Sequence, residues 1–340
     1  MESGPPHLID WAITPRCNLT CSHCRGMATG ELSGDRARAL VAEIAALKPG
    51  WLIVEGGEPL LRHDLFELLD LMRRRSLDVH LITNGLLLED RTVAVLKGLG
   101  IKVMISIDGA QPATYQSIRQ GSSFEMALEK VRACVRAGLL ESINFTVLKS
   151  NYAEIPGIFR LAASLGVPKI TFIGFKPCRG YGEEILTPEE CGEAIRLACR
   201  GAHETGLEFF FDEPFFWAAV KEWGLPVGKS AHGAGIVATA TTACIFGEYL
   251  FIGTDGEVKP CSFAPMAVGN VNDTSLEEIW NGVQTSSFFK KARDALNRDG
   301  HCRECRFLEE CKGCRSRSFM LTGDWFAADP CCPLRARSGS

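Results

Sequence analysis

Residues 8–26, LIDWAITPRCNLTCSHCRG, run from a short apolar stretch straight into a loop holding Cys17, Cys21 and Cys24 in a CxxxCxxC arrangement. The apolar part has the length and composition of a buried strand, so the cysteines lie at that strand's carboxyl end. Five similar runs follow, starting at Trp51 (WLIVE), Asp78 (DVHLIT), Lys102 (KVMIS), Ser142 (SINFTV) and Lys169 (KITFIG). Helical patterns lie between them; the clearest is Phe124, Leu128, Val131 and Val135, which share one helix face.

Strand starts recur every 24 to 43 residues, the length of a strand, a crossover helix and two short loops. This repetition specifies a parallel α/β sheet with helices outside it. Six units are too few for a closed eight-fold barrel, and they predict a partial (βα)6 TIM-like barrel. The pattern changes after Phe175: a helical stretch near Pro188–His203, an aromatic strand from Leu207 (LEFFFD) and a Gly/Ala/Thr-rich segment, 228–243, lead to a second cysteine-rich region. The expected division is a barrel over 1–230, a cysteine-rich domain over 231–335 and a frayed tail over 336–340.

Of the 340 residues, 46% are hydrophobic and 23% charged, and 37 basic against 41 acidic side chains leave a net charge of -4. That balance argues against a nucleic-acid surface, which needs a basic excess. No apolar stretch reaches the roughly 18 to 20 residues of a membrane span, and the amino terminus lacks a signal-peptide pattern, so the cytoplasm is the expected compartment. Fifteen cysteines are the anomaly: three lie between 17 and 24, and six between 302 and 332. In a reducing compartment, crowded thiols serve as metal ligands or catalysts.

Three thiolates in one loop can hold three corners of a cubane cluster and leave the fourth iron open to a ligand. A structural zinc site would need a fourth ligand; His23 is the local candidate, but it adjoins Cys24. The second strand ends in Gly56, Gly57, Glu58 and Pro59, where paired glycines let backbone approach a ligand and a carboxylate can receive an ammonium group, although GGEP alone is also compatible with a plain turn. The third ends in Thr83, Asn84 and Gly85, and the fourth in Ser106, Ile107, Asp108 and Gly109. Polar or glycine-rich loops thus reach one rim from four successive strands.

CxxxCxxC followed about 30 residues later by GGEP resembles the radical S-adenosylmethionine superfamily. The resemblance implies that Cys17, Cys21 and Cys24 hold a [4Fe-4S] cluster whose open iron is chelated by S-adenosylmethionine. Gly56, Gly57, Glu58 and Pro59 would line its amino group, with Asn84 on the same rim and Ser106 and Asp108 near the ribose. Arg119 and Arg179 are candidates for a carboxylate partner, or else solvated surface arginines. Glu55 stands where many members carry Ser or Thr, which leaves its role open. The implied chemistry is one-electron cleavage of the sulfonium, giving a 5'-deoxyadenosyl radical that takes hydrogen from an unactivated carbon. A ferredoxin- or flavodoxin-type protein would donate the electron.

The later cysteines, Cys244, Gly256-x4-Cys261, then Cys302, Cys305, Cys311 and Cys314, then Cys331 and Cys332, resemble the SPASM auxiliary-cluster domain. By that resemblance Cys244, Cys261 and Cys314 would hold one auxiliary iron-sulfur cluster, and Cys302, Cys305, Cys311 and Cys331 a second, with Cys332 able to replace Cys331. Zinc is the alternative for this region, against which the five residues between the two CxxC pairs fall short of a zinc ribbon's usual gap. Cys134, Cys178, Cys191 and Cys199 belong to no motif and read as core thiols, Cys178 being notable beside Arg179 at a strand end.

The segments CSHCRG and CKGCRSRSFMLTGDWFAADPCC look most like the branch that modifies tetrapyrrole side chains in heme and heme d1 biosynthesis. The expected activity is therefore oxidative loss of a propionate carboxyl, with Lys176, Arg179, Arg315 and Arg317 available to bind carboxylates. The alternative is a peptide or protein maturase. The first cluster cysteine at residue 17 leaves no room for an amino-terminal peptide-binding domain, which disfavours that alternative. A non-enzymatic iron-sulfur or zinc protein is the third reading, and the polar strand-end loops speak against it.

Overall fold

The computed structural model describes residues 4–26, 28–177, 182–227 and 244–337. Seven parallel strands lie side by side in chain order: β1 (Leu8–Ala12), β2 (Trp51–Glu55), β3 (Val79–Thr83), β4 (Lys102–Ser106), β5 (Leu140–Val147), β6 (Lys169–Gly174) and β7 (Glu208–Asp212). The expected partial barrel is present, with one strand more than the six repeats: LEFFFD, within the expected barrel region, adds a seventh parallel strand. Its Phe209 and Phe211 join Phe159, Phe172 and Phe216 in a run of ring contacts, and that aromatic packing holds the seventh strand in place.

Alternation along each strand divides the molecule into two layers. Ile9 and Trp11, Leu52 and Val54, Val103 and Ile105, and Ile170 and Phe172 all point outward into one apolar cluster with helix residues such as Leu40, Leu68, Val131 and Ile158. Their neighbours Asp10, Glu55, His80, Ser106 and Asn144 occupy the opposite, inner positions. A lining this polar differs from a barrel interior filled by branched aliphatics, and it leaves a face suited to ligands. Helix ends follow local signals: Phe124–Ala137 starts where Ser123 Oγ accepts from Met126 N, and stops at Gly138 with φ 65°.

The cysteine-rich region is not a separate layer. Strand β8 (Leu250–Ile252) pairs parallel with β1 on the side away from β2, placing Asp10 between Phe251 and Ile53. β9 (Glu257–Lys259) and β10 (Gly269–Asn270) extend the same sheet in antiparallel fashion. The boundary expected near residue 230 lies outside the described residues. At the other end Pro333–Arg337 forms a 3-10 turn that takes in the first two residues of the expected tail, and 338–340 lie outside the described residues. Among the described residues no helix is long and apolar enough to cross a membrane.

Candidate active site

The loop after β1 is held by backbone contacts that the glycines permit. Gly57 N donates to Thr14 O (2.7 Å) and Glu58 N to Arg16 O (2.7 Å). A Cβ at position 57 would lie 2.2 Å from Arg16 O, and one at position 56 would lie 2.6 Å from Thr14 O, where φ is +149°. What approaches these glycines closely is therefore the chain's own cysteine loop. On its far side Thr20 and Cys21 pair antiparallel with Gln120 and Arg119, and Asn84 Nδ2 donates to Asn18 Oδ1 (2.8 Å).

Cys17 and Cys24 are exposed and Cys21 is half-buried, all three free thiols. Burial raises the Cys17 thiol and pushes Cys21 up to about 11, so without a metal these sulfurs hold their protons. Among the described residues no group of three His, Cys, Asp or Glu closes on a single metal ion. Three thiols on one loop nevertheless fit the donor set of a cubane cluster.

The rim residues mostly bind one another. Glu58 is fully buried; its Oε1 accepts from Thr83 Oγ1 (2.7 Å) and Leu60 N (3.2 Å), and its Oε2 from Asn84 N (2.9 Å). Burial raises its pKa, while those hydrogen bonds act the other way. Both oxygens, expected to meet an ammonium group, thus clasp the ends of β2 and β3. Pro59 opens the 3-10 turn Pro59–Leu61, and Asn84 Oδ1 accepts from Leu86 N (3.0 Å). Ser106 is buried at the end of β4.

Asp108 accepts from Thr146 N (2.6 Å), Arg119 Nε (2.7 Å) and His23 Nε2 (2.8 Å). Although burial acts to raise it, the Arg119 charge and the His23 contact hold this carboxyl well below the usual range. Arg119, only 7% exposed, is no surface arginine; its guanidinium faces Cys21 Sγ at 3.9 Å. His23, weighed above as a zinc ligand, is instead the bridge from the cysteine loop to Asp108. Arg179 and Cys178 lie outside the described residues.

In the second region, burial raises the Cys314 thiol, with the Cys244 sulfur adding to it; Cys244 in turn feels Cys261. Cys311 faces Cys302 and Cys332, and Cys332, pushed up to about 12 by burial, faces Cys302 and Cys305. Cys331 points elsewhere: a hydrogen bond from Cys191 lowers its thiol, and both line a small cavity with Glu213 and Arg317. Cys331 thus neighbours Cys191, Glu213 and Arg317, and Cys332 neighbours Cys302 and Cys305, which favours Cys332, the alternative weighed above, as the last ligand of the second set.

Three of the four expected carboxylate-binding cations are engaged within the protein. Arg317 holds Glu213 through Nη1 and Nη2 (2.7 Å each) and Asp329 through Nε (2.8 Å) and Nη2 (2.7 Å). Arg315 donates to the carbonyls of Gly313, Trp325 and Ala327. Lys176 bonds the Asp212 carboxylate (2.8 Å) and lies 5.4 Å from the Phe263 ring. The residue the sequence reading missed is Arg25, next to Cys24: it pairs with Glu55 and lies 4.8 Å from the Phe251 ring centroid. Its signal was the opposite charge at position 55, where an uncharged residue is usual in the family.

The chain resembles known proteins along its whole length. A family model for the radical SAM superfamily matches residues 11–162, and the SPASM iron-sulfur cluster-binding domain matches residues 244–306. The AdoMet-dependent heme synthase of Methanosarcina barkeri is 32% identical over 98% of both chains. The pre-heme d1 synthase of Dinoroseobacter shibae is 31% identical over 98% of this chain and 87% of its own. The PqqA peptide cyclase of Gluconobacter oxydans is 28% identical over 97% and 91%. Among solved structures, anSMEcpe with bound AdoMet shares the fold at a TM-score of 0.75, with 18% identity over 96% of this chain and 91% of that one. A loop of three free thiols on a partial barrel, backed by a second set of cysteines and a full-length relative at that identity, places the chain in the radical SAM superfamily: it is a SPASM-containing enzyme that uses S-adenosylmethionine and iron-sulfur clusters.

Proposed function

We propose that this enzyme oxidises a tetrapyrrole propionate, removing its carboxyl group. The observation that carries the reading is the end-to-end likeness to a heme synthase, which spans both cysteine groups and the barrel strands between them. Bound at Cys17, Cys21 and Cys24, a reduced [4Fe-4S] cluster with S-adenosylmethionine supplies abstraction of a hydrogen atom from an unactivated carbon.

The protein's own part is position. Gly56 and Gly57 seat the cysteine loop, while Asp108, through His23 and Arg119, fixes its far end. The polar inner face of the barrel receives the substrate. Conversion of a propionate to a vinyl group releases carbon dioxide, one hydrogen atom and one electron, so an electron acceptor is needed. Pairing of β8 with β1 supports such a role for the auxiliary cysteines, because it fastens their region to the strand that leads into the cysteine loop.

Incubation of the anaerobically reconstituted enzyme with iron coproporphyrin III, S-adenosylmethionine and a strong reductant tests the reading. The expected product has lost carbon dioxide and two hydrogens from each propionic acid consumed. An unchanged porphyrin, alongside a peptide that loses two hydrogens, defeats it in favour of peptide maturation.

For the second auxiliary cluster we assign Cys302, Cys305, Cys311 and Cys332. Cys332→Ser is expected to lower iron from about twelve to about eight atoms per chain, whereas Cys331→Ser keeps the full complement. Iron analysis with electron paramagnetic resonance decides, and the reverse pattern restores Cys331.

A further inference from the structure

Beside Phe251 on the inner face, two buried polar atoms have no hydrogen-bond partner. Asp10, 8% exposed, sits on β1 between Phe251 and Ile53, and its Oδ1 is sealed from solvent with no hydrogen bond. Arg25 covers the same part of the sheet, with Nη2 on Glu55 and the guanidinium over Phe251, yet its Nε–H is buried and meets no acceptor. Arg25 is the charge that bears on Asp10, but no ion pair joins them. Buried polar groups are nearly always bonded, so an orphan acceptor near an orphan donor calls for a ligand that supplies both.

Charge narrows the ligand. Lys176 is matched by Asp212, Arg317 by Glu213 and Asp329, and Arg25 by Glu55. Among these inner groups Asp10 is the carboxylate with no cation of its own. An ionised carboxylate arriving beside it would be repelled, whereas a carboxyl group carrying one proton would not: its carbonyl oxygen accepts from Arg25, and its O–H reaches Asp10.

We propose that Asp10 and Arg25 form a receptor for one substrate carboxyl group, Arg25 donating to it and Asp10 sharing its proton. This rests on the tetrapyrrole reading above, since propionates supply the carboxyl. Asp10 lies outside the cysteine motifs and Arg25 directly follows the last cysteine of CxxxCxxC, while Glu55 acts as a positioning residue that holds the guanidinium in place.

The test uses the cluster-loaded enzyme and two probes, metal-free coproporphyrin III and its tetramethyl ester, followed by fluorescence anisotropy, with iron content checking each variant. Wild type is expected to prefer the acid. Arg25→Gln should weaken acid binding roughly 10- to 100-fold, the range for a hydrogen bond to a charged group. Asp10→Asn, which offers a donor where the carboxylate needed one, should bind the acid at least as tightly as wild type. Wild-type binding of the acid that neither variant alters overturns this receptor and leaves the tetrapyrrole reading standing. Failure of wild type to bind the acid overturns both.

Discussion

Alanine in place of Gly57 is expected to strip the enzyme of its first cluster and to lower S-adenosylmethionine cleavage by about 100-fold or more, the order seen when reacting groups move by an ångström. The new methyl group would stand 2.2 Å from Arg16 O, a backbone atom that cannot rotate away. Relief requires the loop to retreat from β2, breaking the Gly57–Thr14 and Glu58–Arg16 hydrogen bonds three residues and one residue before Cys17. About four irons should be lost, with the auxiliary iron retained. Gly98→Ala, at a helix end where nothing lies within 4 Å, is the matched control and should change neither quantity. Full iron and undiminished cleavage in Gly57→Ala would show that this contact is not what seats the loop.

A second large effect is expected at Arg317. Its guanidinium is 1% exposed and joins two buried carboxylates, Glu213 beside β7 and Asp329 near the chain end. Asp329 also accepts from Cys314 N (2.9 Å) and Cys331 N (3.1 Å), so one cation organises the turn that presents the last cysteines. Arg317→Met leaves Asp329 without its cation and Glu213 with only Lys176 Nζ at 3.9 Å, at a cost of about 3–5 kcal/mol. At roughly 2–4 °C per kcal/mol for a domain of this size, the melting temperature should fall by about 10 °C at pH 7. The pH dependence has a definite sign. Arg317 outweighs burial to hold Asp329 below its ordinary range, so the stabilisation is complete above the unfolded carboxylate value near ~4 and fades only as pH falls through the lower folded value. Calorimetry at pH 7 is therefore the measurement, and a fall under about 3 °C would mean that the cation contributes little.

What could be read from sequence was whatever is local. Strand periodicity, the CxxxCxxC spacing and GGEP are properties of neighbouring residues, and they located six strands, the cysteine loop and its glycine seat. Long-range partnerships were less legible. Arg315 and Arg317 read as free cations because a sequence displays charge without showing Glu213, Asp329 or the carbonyls that surround them. Arg25 and Glu55 are 30 residues apart and signal each other only by opposite sign. Cys331 and Cys332 are adjacent thiols that spacing treats as equal, and the turn at Asp329 sends them to different neighbours. The aromatic strand at Leu207 was read as a strand within the barrel region but was not counted among the six repeats; in the structure it pairs with β6 as the seventh strand.

The attachment of β8 to β1 carries a consequence for biogenesis. Leu250, the partner of Ile9 on one edge, leaves the ribosome only about 240 residues after it, and contacts so distant along the chain close slowly. During synthesis the nascent barrel must wait with its founding strand flanked on one side only. Metal delivery is then best suited to the completed polypeptide, and a gene cut ahead of residue 244 would produce a product whose open flank invites aggregation.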